Sequence, residues 1–129
     1  METPYSDEEQ LDSYLRSYAK YYITDLERRS LDICYRDYKI REAQQSEDEF
    51  FRELGEQKAI QFATQQIADD LLPALAIGLL QYRESVIQRL LRNVQSGSIT
   101  INRCPKCGRI VRTPRARQCR WCGFDWHNA

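Results

Sequence analysis

The chain has 129 residues, of which 42% are hydrophobic and 29% are charged. This composition is ordinary for a folded protein and excludes a largely disordered one, and the length suits one compact domain or a modest domain with a small appendage. The longest apolar run, residues 71–80, is about half as long as a membrane-spanning helix and is interrupted by Pro73 and Gly78, so no membrane span is predicted.

The formal net charge is zero, but the charges are divided unevenly. Residues 1–98 hold twelve basic and eighteen acidic residues, whereas the tail (residues 99–129) holds seven basic residues and one acid. This asymmetry indicates an anionic partner, and the alternative is that the tail packs against the acidic body of its own molecule. The N-terminus is acidic and unlike a signal peptide, so we expect a cytoplasmic location with reduced thiols.

Two capping patterns predict the first helix starts. Ser6, followed by three acids, predicts a start near residue 7, and Ser46, followed by residues 47–49, predicts another near residue 47. The first helix has an apolar face at helical spacing, formed by Leu11, Tyr14, Leu15, Tyr18 and Tyr22. A second stripe runs from Leu31 to Tyr38. The polar residues 27–30 are either an exposed turn of one long helix or a break between two.

A third helix is predicted to continue to about Ile67, with Gly55 as a candidate bend. A fourth is predicted to begin at the two aspartates before Pro73 and to run to about Val94, since aspartate caps helices and proline suits a first turn. Gly97 is the candidate residue just past its end. No internal repeat is evident. Residues 1–97 are therefore expected to form a bundle of three or four helices.

The pattern changes after Gly97, where the alternation of residues 99–102 predicts a short strand. Four cysteines follow with the spacing C-x2-C-x11-C-x2-C, namely Cys104, Cys107, Cys119 and Cys122. A glycine follows each pair, and its freedom to take positive φ lets the turn aim backbone N–H groups at the thiolates. Four thiolates make a closed tetrahedral metal site of the structural kind. Disulfides, an iron–sulfur cluster and a single iron are the alternatives to zinc.

The paired Cys-x2-Cys-Gly turns resemble the zinc-ribbon family over about residues 99–127, under a quarter of the chain. The resemblance implies a three-stranded sheet clamped at one end by a structural Zn²⁺ ion on the four cysteines. Zinc ribbons commonly bind DNA, RNA or protein, and some brace a neighbouring domain. We therefore predict a mainly α protein, with a helical domain (residues 1–97) followed by a small β-rich zinc-ribbon domain (residues 98–129).

Candidate contacts to nucleic acid or to a partner protein lie in the tail. They are Lys106, Arg109, Arg112, Arg115, Arg117, Arg120 and Trp121. Arginine forms forked hydrogen bonds to phosphate, and a tryptophan can stack on a base. The simpler interpretation of Trp121, Phe124 and Trp126 is that they pack the small ribbon.

Two other residues have ordinary interpretations. Cys34 lies alone on an apolar stripe and is expected to be a buried core residue. His127 is the only histidine, and four cysteines leave it unneeded as a ligand. A glycine-rich phosphate loop, an HExxH motif and a nucleophile with a paired acid and base are all absent from the sequence, so we do not expect an enzyme.

Two functions fit this sequence. The first is a binding module that contacts DNA or RNA through the basic tail, while the helices pair with another copy or another protein. The second is a protein–protein adaptor or inhibitor, such as a small assembly factor or a phage or bacterial regulator, whose tail and tyrosine-rich helices bind an acidic protein. Six of the eight tyrosines lie between Tyr14 and Tyr38, and they form either a binding face or a core with hydroxyls at its rim.

Overall fold

A computed structural model of the protein describes residues 4–128. Over this range the chain is mainly helical, as predicted, with five α-helices. They are α1 (Asp7–Tyr18), α2 (Asp25–Gln44), α3 (Glu49–Thr64), α4 (Leu72–Ile77) and α5 (Leu79–Gln95). Short 3-10 turns, Ala19–Tyr21 and Asp69–Leu71, precede α2 and α4. None of the helices in the described range combines the length and the apolar character that a bilayer crossing requires.

The chain forms two compact units. The terminal unit comprises Met1–Ile23 and Val86–Ala129, and the middle unit is Thr24–Ser85. Within the terminal unit, α1 contacts the tail through the ion pair of Asp7 with Arg103, and the predicted boundary between residues 97 and 98 stays a prediction. Separate folding of residues 98–129 stays a prediction.

The predicted start of α1 is confirmed. The sequence left open whether residues 27–30 belong to one long helix or to a break between two helices, and the structure has a break that lies before them, between α1 and α2. Ser6 Oγ accepts the N–H of Glu9 at 3.3 Å, so α1 begins at Asp7 as predicted. A second capping box starts α2: Thr24 Oγ1 accepts the N–H of Glu27, and the Glu27 carboxylate accepts the N–H of Thr24. Residues 27–30 are therefore the first turns of α2.

The N-cap of α3 is Asp48 and not Ser46, which corrects the predicted cap. The Asp48 carboxylate accepts the N–H groups of Phe50 and Phe51 at 2.9 and 3.3 Å. Ser46 Oγ instead accepts the N–H of Asp48. Aspartate is favoured at the N-cap because its carboxylate accepts two N–H groups and its negative charge suits the positive end of the helix dipole. The helix ends at Thr64, three residues before the predicted end.

At Gly55 the backbone of α3 lies close to that of α2, and Gly55 lies inside a continuous helix. A Cβ atom on Gly55 would lie 2.7 Å from the backbone nitrogen of Gln44 and 2.9 Å from the Ala43 carbonyl carbon. Gly55 is buried. Its role is thus to let two helix backbones touch, and the candidate bend is not formed.

The predicted fourth helix is two helices, because Gly78 interrupts it. Gly78 has φ 88° and ψ 164°, a conformation that side-chain-bearing residues rarely adopt. Pro73 lies in the first turn of α4, as predicted. Gly97, with φ 85°, follows the end of α5 and donates its N–H to the Val94 carbonyl, so the predicted helix end is confirmed.

The middle unit has a core of its own around α2. Its fully enclosed members are Ile33, Cys34 and Ala74. Side chains from four elements pack against them, namely Phe62, Leu71, Leu75, Leu79 and Tyr82. The prediction that Cys34 is a core residue is confirmed, and burial raises the pKa of its thiol, so Cys34 stays protonated and inert.

The β-rich ribbon predicted for the tail does not form a sheet within residues 4–128. Only isolated antiparallel bridges occur, Arg103 with Ile110 and Gln118 with Asp125. The predicted strand at residues 99–102 is likewise not formed.

Candidate metal centre

The four predicted cysteines come together in the tail. The sulfur atoms of Cys104, Cys107, Cys119 and Cys122 all lie within 4.8 Å of one another. Across the two pairs, the Cys104 and Cys122 sulfurs are 3.7 Å apart and those of Cys107 and Cys119 are 3.6 Å apart. The cluster is thus able to hold a metal ion.

Two of the sulfur–sulfur distances match those of a tetrahedral site. Metal–sulfur bonds of about 2.3 Å, as in zinc sites, place tetrahedral sulfurs about 3.8 Å apart. The two measured distances are within a few tenths of an ångström of this value. Four thiolates are the donor set of soft or borderline metals such as zinc and iron. They fill a tetrahedral shell, so a bound ion would have no open position for a substrate.

Each cysteine pair lies on a tight turn built by the backbone. In the first turn the N–H groups of Lys106 and Cys107 point at the Cys104 sulfur, at 3.4 and 3.5 Å. Gly108, with φ 77°, closes that turn by donating its N–H to the Cys104 carbonyl. These N–H groups stabilise negative charge on the sulfur, which is the task of outer-shell donors around a metal.

The second turn repeats the first at a constant offset of fifteen residues. The N–H groups of Trp121 and Cys122 point at the Cys119 sulfur, and Gly123 closes the turn with φ 80°. The bridges of Arg103 with Ile110 and of Gln118 with Asp125 obey the same offset. No repeat was evident in the sequence, because residues 102–111 and 117–126 share only two cysteines and a glycine.

The thiols within the four-cysteine cluster differ in pKa. Loss of hydration raises the pKa of Cys104, but the N–H groups of Cys107 and Lys106 outweigh it and lower that pKa to about 7. The pKa of Cys119 is lowered in the same way by its two N–H donors, against the loss of hydration. For Cys107 the Arg109 N–H lowers the pKa, but burial and the neighbouring thiols raise it to about 11. A bound cation would favour the thiolate form of all four.

The chain start holds the tail by contacts that sequence reasoning missed. The hydroxyl of Tyr5 accepts the N–H of Ile110 at 3.0 Å and donates to Asp7 at 2.6 Å. Arg103 donates to both carboxylate oxygens of Asp7, and this hydrogen bond lowers the pKa of Asp7. The acids near residue 7 were already explained by the start of α1. No pattern in the sequence therefore indicated the additional contact of Asp7 with Arg103.

One of the seven basic side chains of the tail pairs with an acid in the described part of the chain, namely Arg103. Three others lie over aromatic rings: Lys106 over Phe124, Arg109 over Tyr5 and Arg120 over Trp121. The side chains of Arg112, Arg115 and Arg117 are exposed and have neither an acid nor a hydrogen-bond partner among residues 4–128. The tail thus keeps most of its positive charge uncompensated by neighbouring carboxylates.

No protein-family model, no curated protein and no solved structure matches the chain significantly. The resemblance to zinc ribbons accordingly rests on the four cysteines and their two turns. The function of the tail has to follow from its own geometry and charge.

Trp121 is partly enclosed by its neighbours. Its indole N–H donates to the Ile110 carbonyl at 3.1 Å, and the Tyr5 ring meets it edge to face with centroids 5.0 Å apart. Arg120 lies over the same ring and donates to Gln10 at 2.6 Å. These contacts favour the packing interpretation of Trp121.

The other two aromatic side chains of the tail lie together beyond the second turn. Phe124 and Trp126 have nearly parallel rings, with centroids 6.0 Å apart and 21° between their planes. Trp126 packs on the buried cluster of Cys104, Val111 and Cys119, whereas Phe124 is exposed. His127 is exposed, bonds to Asp125 and is not a member of the four-cysteine cluster.

Proposed function

We propose that the protein is a non-enzymatic binding protein whose tail is a zinc-ribbon-like module that contacts DNA or RNA. Zn²⁺ on the four cysteines would be structural, because the closed thiolate shell leaves no position for a reacting group. The ribbon here consists of two metal-linked turns instead of a full sheet. We place the protein in the cytoplasm, where the thiols stay reduced and available to the metal.

The observation that carries this proposal is the set of uncompensated cations. The alternative for the basic tail was neutralisation by the acidic body, yet of the seven basic side chains of the tail only Arg103 has an acidic partner among the described residues. With Zn²⁺ bound to four thiolates, the tail keeps a formal charge of about +4. Exposed arginines without carboxylate neighbours are free to bind phosphates, which releases counterions and drives association.

The test is binding of DNA and of RNA by the metal-loaded protein at about 50 and about 200 mM salt. An Arg112/Arg115/Arg117→Ala variant removes the three exposed arginines of the tail. An Arg52/Arg83/Arg92→Ala variant is the matched control, because it removes the same charge from exposed helical positions. For three phosphate contacts we expect the affinity to fall about 20- to 40-fold between the two salt concentrations.

Loss of binding in the tail variant, with metal content and binding by the control both retained, supports the proposal. Absence of any binding at the lower salt contradicts it. Equal losses in the two variants also contradict it, since they would reflect net charge and not the tail.

A second candidate function, a protein adaptor, is favoured by a groove in the middle unit. The groove has a volume of about 400 Å³ and lies between α2 and α3. Its apolar wall includes Tyr35, Leu54 and Phe62, and its basic residues are Arg36, Lys39 and Lys58. On α3, Phe50 and Ile60 are 69% and 67% exposed. An amphipathic acidic segment of a partner protein, or a second copy pairing through α3, would cover these groups.

The two functions are separated by competition. Unrelated polyanionic DNA displaces a nucleic-acid ligand from the tail, whereas it leaves a protein bound in the groove. A Phe50/Ile60→Ser variant is expected to weaken self-association or partner binding and to leave nucleic-acid affinity unchanged. Light scattering of the purified protein measures the self-association directly.

A further inference from the structure

One face of the tail combines aromatic rings with cations and is named here the aromatic–basic strip. It consists of Lys106, Phe124, Trp126, Arg115 and Arg117. The Lys106 ammonium is 5.8 Å from the centre of the Phe124 ring, and the Phe124 and Trp126 rings are nearly parallel. Trp126 also lines a pocket of about 550 Å³ together with Arg115 and Arg117. Each of the two rings thus has a cation beside it.

The backbone fixes the pocket end of the strip. Trp126 donates its N–H to the Arg117 carbonyl at 2.8 Å, which ties the tryptophan to the arginine segment. Asn102, which also lines the pocket, donates its side-chain amide to the carbonyls of Thr113 and Ala116, at 3.0 and 2.8 Å. The turn that carries Arg115 is therefore held beside the indole ring.

The chemistry of the pocket suits a nucleotide with an unpaired base. Its lining contains no carboxylate and includes two arginines that have no acid partner in the described range. An indole ring offers a base a stacking surface, and adjacent guanidinium groups bind the phosphate that follows it. Bases inside a duplex keep their faces covered by their neighbours, so only a single strand can use both groups at once.

We infer that the aromatic–basic strip binds single-stranded nucleic acid, with one base on Trp126, a second base near Phe124, and phosphates on Arg115 and Arg117. This inference rests on the proposed function and specifies it. The stacking residues are thus Phe124 and Trp126, whereas Trp121 supports the fold through its contacts with Tyr5 and Ile110.

The experiment compares binding of a thymidine oligomer, a uridine oligomer and a DNA duplex of equal length to the full chain loaded with zinc. The Phe124→Leu variant removes an exposed ring of the strip, and Phe50→Leu removes an exposed ring of α3 as its control. We expect Phe124→Leu to lower single-strand affinity about 5- to 100-fold and to leave duplex affinity unchanged. Arg112→Ala, outside the strip, should weaken single strand and duplex alike.

Fluorescence gives a second readout, because the chain has two tryptophans and only Trp126 lies in the strip. Single-strand binding is expected to quench the emission of the protein. A Trp126→Phe variant keeps an aromatic ring, so it should bind with affinity within about threefold of the parent while the quenching disappears. Metal content measured for each variant shows that the cysteine site is intact.

The outcomes separate the two proposals. A preference for single strands that is lost in Phe124→Leu supports the inference. Equal affinity for single strand and duplex, with no effect of Phe124→Leu, overturns the inference and leaves the tail a backbone-binding module. If the parent protein binds none of the three probes at about 50 mM salt, the proposed function fails and the inference fails with it.

Discussion

Tyr5 joins the chain start to the first cysteine turn through one hydroxyl group. The hydroxyl accepts the N–H of Ile110, a residue that is 1% exposed, and donates to Asp7. Burial, which has the largest effect, and the hydrogen bond to Asp7 raise the pKa of Tyr5, so the hydroxyl stays protonated at neutral pH. It is therefore able to donate and accept at the same time.

We expect Tyr5→Phe to lower the free energy of unfolding by about 1–3 kcal/mol, because the Ile110 N–H is left buried without a partner. The phenylalanine ring preserves the edge contact with Trp121, which isolates the effect of the hydroxyl. Chemical denaturation followed by tryptophan emission measures the change. Tyr21→Phe, at a residue that is 49% exposed, is the control and should be neutral. A Tyr5 variant as stable as the parent would mean that solvent satisfies the N–H.

At the scale of single residues, the sequence predicted the roles that depend on neighbouring positions in the chain. The cysteines were found because C-x2-C-G spacing places two sulfurs on one turn by itself, and Cys34 was found because it lies on an apolar stripe. Tyr5 and Gln10 were missed because each acts on a residue about a hundred positions away. A polar side chain near a helix start already has a sufficient local role, so its distant partner leaves no pattern.

Gly55 sets the distance between α2 and α3. A methyl group at this position would lie 2.7 Å from the backbone nitrogen of Gln44, and a backbone atom cannot rotate away as a side chain does. The two helices would have to separate, which opens the core around Ile33 and Cys34. Overpacking of this kind typically costs about 1–3 kcal/mol.

We accordingly expect Gly55→Ala to destabilise the middle unit by about 1–3 kcal/mol, although alanine favours helix formation by about 1 kcal/mol over glycine. Urea denaturation followed by far-UV circular dichroism measures the effect. Ala59→Gly, one turn later on α3, is a control that removes a methyl group from the same helix. Stabilisation by Gly55→Ala would show that helix propensity outweighs the close contact and would contradict the packing argument.

Helix starts were predicted more accurately than helix interruptions. The starts of α1 and α3 lie within two residues of their predicted positions, because capping is decided by a few neighbouring residues. The break at Gly78 was missed, since apolar residues continue on both sides and a lone glycine is tolerated within a helix. Gly55 illustrates the same difficulty: the sequence marks the glycine but not the helix that approaches it.

On the scale of the whole molecule, the sequence predicted helices followed by a four-cysteine module but not how they are grouped. The tail and α1 belong to one compact unit, and the middle unit ends within α5. Periodicity and capping report on the segment that contains them, whereas grouping depends on contacts such as that of Asp7 with Arg103. A sheet was expected from the family resemblance, but only single bridges form in the tail among residues 4–128.

Metal removal should affect the folding of the two units differently. The tail's own core is small, with Cys104, Val111 and Cys119 at its centre, so bound metal would supply most of its stability. Structural zinc contributes about 10–16 kcal/mol of apparent binding free energy in comparable peptides. The middle unit contains none of the four cysteines and has its own core around Ile33. Loss of metal should therefore unfold the tail and leave α2, α3 and α4 helical.

Both tryptophans lie in the tail, so their emission reports on the tail alone. On addition of a chelator we expect their emission to shift to longer wavelength, while far-UV circular dichroism keeps most of its helical signal. Added Zn²⁺ should reverse the shift and Mg²⁺ should not, because thiolates are poor ligands for magnesium. Cys104→Ser should reproduce the chelated state. Unchanged emission in protein shown by elemental analysis to be metal-free would mean that the tail folds without an ion. In that case the contacts of Tyr5, Asp7 and Gln10 with the tail would suffice to hold it.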